Sequence, residues 1–239
     1  MEEQHVSSND YLLIFEPGSV CNIAEVKQRP ERYPAYAEIV AWIESVIIQP
    51  NAELGREGPV CPRVRESIDR NLITFATMST KDATISEAVL KCEALIGAFL
   101  TLFKNRNDRK LSSLLVWFPD IERNQASEFI DGGHQCLRVK FVKNGLMLGE
   151  FHPQSSVPGT YNSSFRPMRA PVPLFAVRML SEHDHKFLMR PEFPLKDRLE
   201  CLEALLAFAG NKLDMRTKAS VETAVASLKS ELASGKKVL

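Results

Sequence analysis

The chain has 239 residues, enough for one large domain with a substantial core, and its 30 Lys and Arg balance its 30 Asp and Glu, giving a formal net charge of zero. With no net field to draw in phosphates, nucleic acid and anionic membrane surfaces are disfavoured as partners. The five cysteines, Cys21, Cys61, Cys92, Cys136 and Cys201, are odd in number and lack CxxC spacing, which fits a reducing compartment better than a disulfide framework.

The first ten residues are polar, and no apolar run approaches the ~20 residues of a membrane span, so the expectation is a cytoplasmic protein with no membrane partner. Residues 1–34 mix polar residues with a short YLLIF run and end in Pro30 and Pro34, suggesting an arm packed loosely on a single domain at 35–239. Apolar residues at helical spacing from Ile39 to Ile47 predict a helix over 35–48, stopped by Pro50. Two glycines and two prolines then surround Cys61 in an ordered loop or flap. A β-rich apolar run at 72–78 reads as a buried strand.

Thr84 and Glu87 have capping-box spacing, and the stripe Ile85, Val89, Cys92, Phe99, Phe103 predicts one long helix behind them. A second buried strand at 112–118 ends at Pro119, and Asp120 is placed to cap a helix that runs to about Ile130 and stops at Gly132 and Gly133. Segments 137–143 and 146–151 flank Asn144-Gly145, the residue pair best suited to a type I′ turn, and so predict a β-hairpin. A proline-flanked strand within 169–180 and helices at 182–189, 195–209 and 217–233 complete the chain. The order implies an α+β fold: a mostly antiparallel sheet with a hairpin at 137–151 packed against helices, in a single domain.

Hairpin register pairs Phe141 with Leu148, Val139 with Glu150 and Leu137 with His152. Leu137, Val139, Phe141 and Leu148 then share one side with Glu150 and His152, while Arg138 and Lys140 lie on the other. A carboxylate and an imidazole on a core-facing surface need partners. Either that face runs out of the core and the two groups meet solvent or loop backbone, or both line a pocket under the 153–171 loop. In the second case His152 ligates a metal or haem iron, or moves a proton. Arg166 and Arg169 suit carboxylates, haem propionates included, or else are ordinary surface charge. Cys61 reads as a thiolate ligand or reactive thiol, or as a buried structural cysteine. His183 and His185 begin a predicted helix with diverging imidazoles and read as capping and surface rather than a metal site. No GxGxxG, P-loop, HExxH or GxSxG element occurs.

Two segments, LGREGPVCPRV at 54–64 and LMLGEFHPQS…FRPMRAPVPLFAVRM at 146–179, carry a family resemblance. Their Gly-Pro-x-Cys-Pro, Gly-x-x-His-Pro, Arg-Pro and Pro-Val-Pro elements resemble a domain family of unknown function whose members occur in bacterial and fungal natural-product gene clusters. More distantly, the Cys loop and the His-Pro step followed by an arginine-bearing loop are similar to the YqcI/YcgG family, which includes haem-dependent enzymes that hydroxylate nitrogen on small amino-acid-like substrates. That resemblance implies an oxidative tailoring enzyme of secondary metabolism acting on a small molecule. His152 would be the axial haem ligand, Arg166 or Arg169 would stand near the propionates, and Cys61 would match the family's upstream cysteine. Two further expectations stand beside it: a non-catalytic accessory protein, or a cofactor-free enzyme using His152 and Glu150 as an acid–base pair.

Overall fold

The computed structural model of the protein describes residues 10–234. Strand β1 (Cys21–Asn22) leads directly into helix α1 (Ile23–Gln28), and Asn22 and Glu25 close a reciprocal capping box over its first turn. Ile23 and Val26 are buried, so part of the segment expected to pack loosely supplies both a strand and core surface. Helix α2 (Pro34–Trp42) runs into a π turn at Ile43–Ile47. After it come α3 (Val64–Asp69), β2 (Ile73–Thr77), α4 (Ile85–Lys91), α5 (Leu95–Leu102), α6 (Arg106–Arg109) and β3 (Ser113–Trp117). The expected Thr84–Glu87 capping box is present, but a 3-10 turn at Cys92–Ala94 divides the long helix into α4 and α5.

A π turn at Ser127–Asp131 opens into α7 (Gly132–Lys143), followed by β4 (Leu146–Phe151), β5 (Leu174–Met179), α8 (His185–Leu188), α9 (Leu195–Ala209) and α10 (Met215–Ala233). The sheet order is β1-β2-β3-β5-β4. β1 pairs antiparallel with β2, β2 parallel with β3 from Ile73↔Ser113 to Thr77↔Trp117, and β3 antiparallel with β5. The fold is α+β with a mostly antiparallel sheet, as its element order implied.

The hairpin is not formed. Residues 132–143 are helical, because buried His134, Leu137, Arg138, Phe141 and Val142 recur at three- and four-residue steps; the alternation of Leu137, Val139 and Phe141 is the same pattern sampled at every second residue. Asn144-Gly145 ends that helix instead of turning a hairpin. Gly145 has φ +71°, its N–H donates to the Val142 carbonyl at 2.9 Å, and the Asn144 N–H donates to Phe141 at 2.9 Å, the geometry of a left-handed C-terminal cap. Nor do Gly132 and Gly133 stop a helix. A Cβ at Gly133 would lie 3.1 Å from Phe175 Cζ and 3.2 Å from Val89 Cγ2, so the missing side chain is what lets this turn approach its neighbours. Asp120 caps no helix either: Oδ2 accepts from Ser79 Oγ and the backbone N–H groups of Thr80 and Lys81, pinning the turn after β2.

The chain divides into two compact units, one holding residues up to Leu137 with Leu148–Met179, the other Arg138–Met147 with residues from Leu180 on. The first buries Tyr36, Ile39, Ile43 and Ile47 with Phe75, Leu115 and Leu174. Phe118, Phe129 and Phe175 form an aromatic group in the same unit, with centroids 4.8–5.9 Å apart. The second unit packs Val142, Met147, Leu202, Leu205, Val221 and Leu228 between α9, α10 and the end of α7. Arg138, expected on the side away from the apolar face, is buried there: Nη2 donates to Asp197 Oδ2 at 3.0 Å and the guanidinium lies 3.5 Å from the centroid of the Phe193 ring.

Candidate functional site

β4 and the residue after it carry Glu150 and His152 into the interior of the first unit, where both are buried and His152 is 0% exposed. Asp131 closes the π turn before α7, and His134 follows it by three residues on the same helical face. These elements bring two imidazoles and two carboxylates together as pairs. His152 Nε2 lies 3.1 Å from Asp131 Oδ2 and 3.3 Å from Oδ1. His134 Nε2 lies 3.4 Å from Glu150 Oε2. Ser127, one helical turn before Asp131, donates its hydroxyl to Asp131 Oδ2 at 2.7 Å.

Burial pushes the Asp131 carboxyl upward, but the hydrogen bonds from His152 and Ser127, with the electrostatic influence of the two imidazoles, outweigh it and hold the group below the usual carboxylate range. Asp131 is therefore the ionised partner, and the proton between it and His152 resides on Nε2. The other ring nitrogen, Nδ1, is buried and has no hydrogen-bond partner among the described residues. A buried polar atom left without a partner carries a desolvation cost that a bound molecule can offset.

The backbone of His152 anchors the loop that follows. Its N–H donates to Met168 O at 3.3 Å, and its carbonyl accepts from Ser155 at 3.1 Å and from Ala170 at 3.4 Å. Arg169 Nε donates to Ser155 O at 3.1 Å, and Arg166 Nη1 donates to the carbonyls of Ser163 and Phe165. Both arginines thus clasp their own loop. Cys61 joins none of these groups; its N–H donates to Ile47 O at 3.2 Å and its side chain packs at the edge of the core, as a structural cysteine does. Glu150 pairs with His134, where the hairpin register had set it beside His152. His183 is exposed beside Glu182, and Asp184 closes a capping box with Ser181, in keeping with the capping assignment.

The arrangement does not suit haem. The candidate axial ligand is fully enclosed, its Nε2 is engaged with Asp131, and the arginines assigned to the propionates donate to loop carbonyls. Among the described residues, no group of three or more His, Cys, Asp or Glu side chains is placed to hold a metal ion. Asp131, His134 and Ser127 do not stand out in the sequence as long as Gly132 and Gly133 are taken as a helix stop, whereas the helical run passes through them. Extended through the glycines, the Ser127-x-x-x-Asp131-x-x-His134 spacing would have put all three on one face.

No helix among the described residues is long and apolar enough to cross a membrane. No curated protein and no solved structure matches the chain. A family model, described as a domain of unknown function, matches residues 36–218, which include both imidazole–carboxylate pairs, and the protein is a member of that family, DUF6875.

Proposed function

We propose that this protein is an acid–base enzyme acting on a small organic molecule, with Nδ1 of His152 as the proton acceptor and Asp131 as the carboxylate that orients the ring. The observation that carries this is the division of labour between the two ring nitrogens: Nε2 is held by Asp131, while Nδ1 is buried with no partner among the described residues. In a neutral ring with its proton on Nε2, Nδ1 bears the lone pair; when Nδ1 takes a proton, Asp131 stabilises the imidazolium that forms. The matching reaction class is proton abstraction from a carbon or heteroatom acid. His152 is fully enclosed, so this reading requires a local opening, for which the loop anchored by the His152 backbone is the candidate. Haem-dependent oxidation, implied by the resemblance, and an accessory role are the competing proposals.

The test follows deuterium uptake from D2O into small carbonyl compounds by proton NMR, with wild type and His152→Ala. Exchange catalysed by wild type and lost in the variant is the expected result. Nitrogen-15 spectra of the histidine rings provide a readout that needs no substrate: a proton found on Nδ1 of His152 at neutral pH would overturn the base assignment. A Soret band in haem-supplemented protein, abolished by His152→Ala, would replace it with the haem reading.

A further inference from the structure

A hollow lies in the first unit, away from the groups assigned above, at the C-terminal ends of the parallel pair β2 and β3. One wall is the turn Glu16-Pro17-Gly18-Ser19. Pro17 and Gly18 occupy its central positions, Gly18 has φ +73°, and the Ser19 N–H donates to Glu16 O at 3.0 Å. The turn is fixed to β2 by two hydrogen bonds, Glu16 N–H to Thr77 O at 2.9 Å and Thr77 N–H to Ser19 Oγ at 3.2 Å. Tyr33 and Trp117 complete the sides and Tyr36 the floor, around a cavity of about 270 Å3. That is just under the roughly 300–1,000 Å3 usual for ligand pockets, a size for a small metabolite.

Three features define what the hollow accepts. Its walls are aromatic: the Tyr33 and Tyr36 rings stack with centroids 5.8 Å apart, and Trp117 stands edge-on to Tyr36 at 6.3 Å. Its floor is already satisfied, since Tyr36 Oη donates to Ser19 O at 3.1 Å and accepts from Thr77 Oγ1 at 2.6 Å, leaving no hydroxyl in need of a polar ligand atom. Its rim carries opposite charges, Glu16 and Arg32, and neither forms an ion pair among the described residues. Arg32 instead lies 5.4 Å from the centroid of the Tyr33 ring, poised beside the opening. An acid and a base that line the same aromatic hollow without pairing complement a ligand that brings its own base and acid.

We propose that this hollow binds an aromatic zwitterion of the size of an aromatic α-amino acid. The ammonium pairs with Glu16, the carboxylate with Arg32, and the ring rests against Tyr33 and Trp117. Guanidinium suits the carboxylate end because it offers two parallel donors.

Isothermal titration calorimetry with L-phenylalanine, phenethylamine, 3-phenylpropionate and L-alanine tests this without reference to activity. L-phenylalanine should bind, and each analogue should bind at least roughly tenfold more weakly, the loss that follows from one charged hydrogen bond or one stacked ring. Glu16 and Arg32 are exposed, so their substitution leaves folding intact. Arg32→Gln should weaken phenylalanine and phenylpropionate but not phenethylamine. Glu16→Gln should weaken phenylalanine and phenethylamine but not phenylpropionate. Glu31→Gln, exposed and outside the hollow, should change nothing. No heat with phenylalanine at millimolar concentration, equal binding of alanine, or indifference to both rim substitutions would each overturn the proposal.

Discussion

Oδ2 of Asp131 stands 3.1 Å from Nε2 of His152 and also accepts the Ser127 hydroxyl at 2.7 Å, so one carboxylate oxygen joins the helix turn to the residue after β4. Replacing Asp131 by Asn keeps the shape but removes the charge that fixes the proton on Nε2. Proton-exchange activity should fall by roughly 10²–10⁴-fold, the usual contribution of a positioned acid or base, with circular dichroism unchanged.

The same carboxylate makes stability depend on pH. Its pKa is lower in the folded chain than in the unfolded one, so on acidification the unfolded state takes up the proton first. The stabilisation is complete above the ordinary carboxylate range, and it drains away as pH falls from about 4 toward the lower folded value. Urea titrations across this range should show Asp131→Asn losing less stability on acidification than wild type. Equal pH slopes would show that the carboxylate does not contribute.

Arg138 and Asp197 should respond unequally to removal. Arg138 is 2% exposed, with Nε and Nη1 lacking hydrogen-bond partners among the described residues and Nη2 on Asp197. Asp197→Ala strands the buried guanidinium and should cost about 3 kcal/mol, while Arg138→Met removes charge and unpaired donors together and should cost about 1 kcal/mol or less. Denaturant midpoints decide between this ordering and its reverse.

Gly145 and Asn144 distinguish a helix cap from a hairpin turn. Gly145 has φ +71°, and a Cβ there would stand 3.0 Å from Phe208 Cδ1, so Gly145→Ala should cost about 1–2 kcal/mol. Asn144 is not among the residues with positive φ and loses only its 2.9 Å amide bond to Lys140 O. Asn144→Ala should therefore cost about 0.5–1 kcal/mol. A type I′ turn would penalise both positions alike.

The cysteines should label in order of exposure. Cys136 is exposed and Cys61 partly so, whereas Cys21, Cys92 and Cys201 are buried. Burial pushes the Cys92 thiol up to about 12 and those of Cys21 and Cys201 up to about 11, which keeps thiolate scarce. Mass spectrometry after brief maleimide treatment of native protein should find the label first on Cys136 and on the three buried thiols only after denaturation.

What the sequence made legible was the set of elements whose patterns are unambiguous. Strands β2 and β3 are short apolar runs, Thr84 and Glu87 form a local capping box, and α9 has a clear helical period. Residues 137–143 failed because Leu137, Val139 and Phe141 fit a two-residue period while Leu137 and Phe141 also fit a helical one, and Asn-Gly serves both a hairpin turn and a helix end. Read as a strand, the segment turns Arg138 away from the apolar face and leaves Asp131 and His134 outside any regular element. His152 and Glu150 were still found, because a histidine and a glutamate beside a buried strand are conspicuous whatever that strand pairs with. Their partners come from the turn and helix just before that strand, and the spacing that puts them on one face shows only when the helical pattern is carried through Gly132 and Gly133.

Two consecutive glycines at the start of α7 give that turn little helical tendency of its own, roughly 1 kcal/mol worse than alanine at each position. It is ordered because Gly133 admits Phe175 and Val89 at close range. The backbone that presents Asp131 and His134 thus borrows its rigidity from the sheet. Hydrogen exchange at amides 132–136 should follow openings of the packing around Phe175 rather than ordinary fraying of a helix end, so the proton-carrying groups are assembled only while that packing is closed.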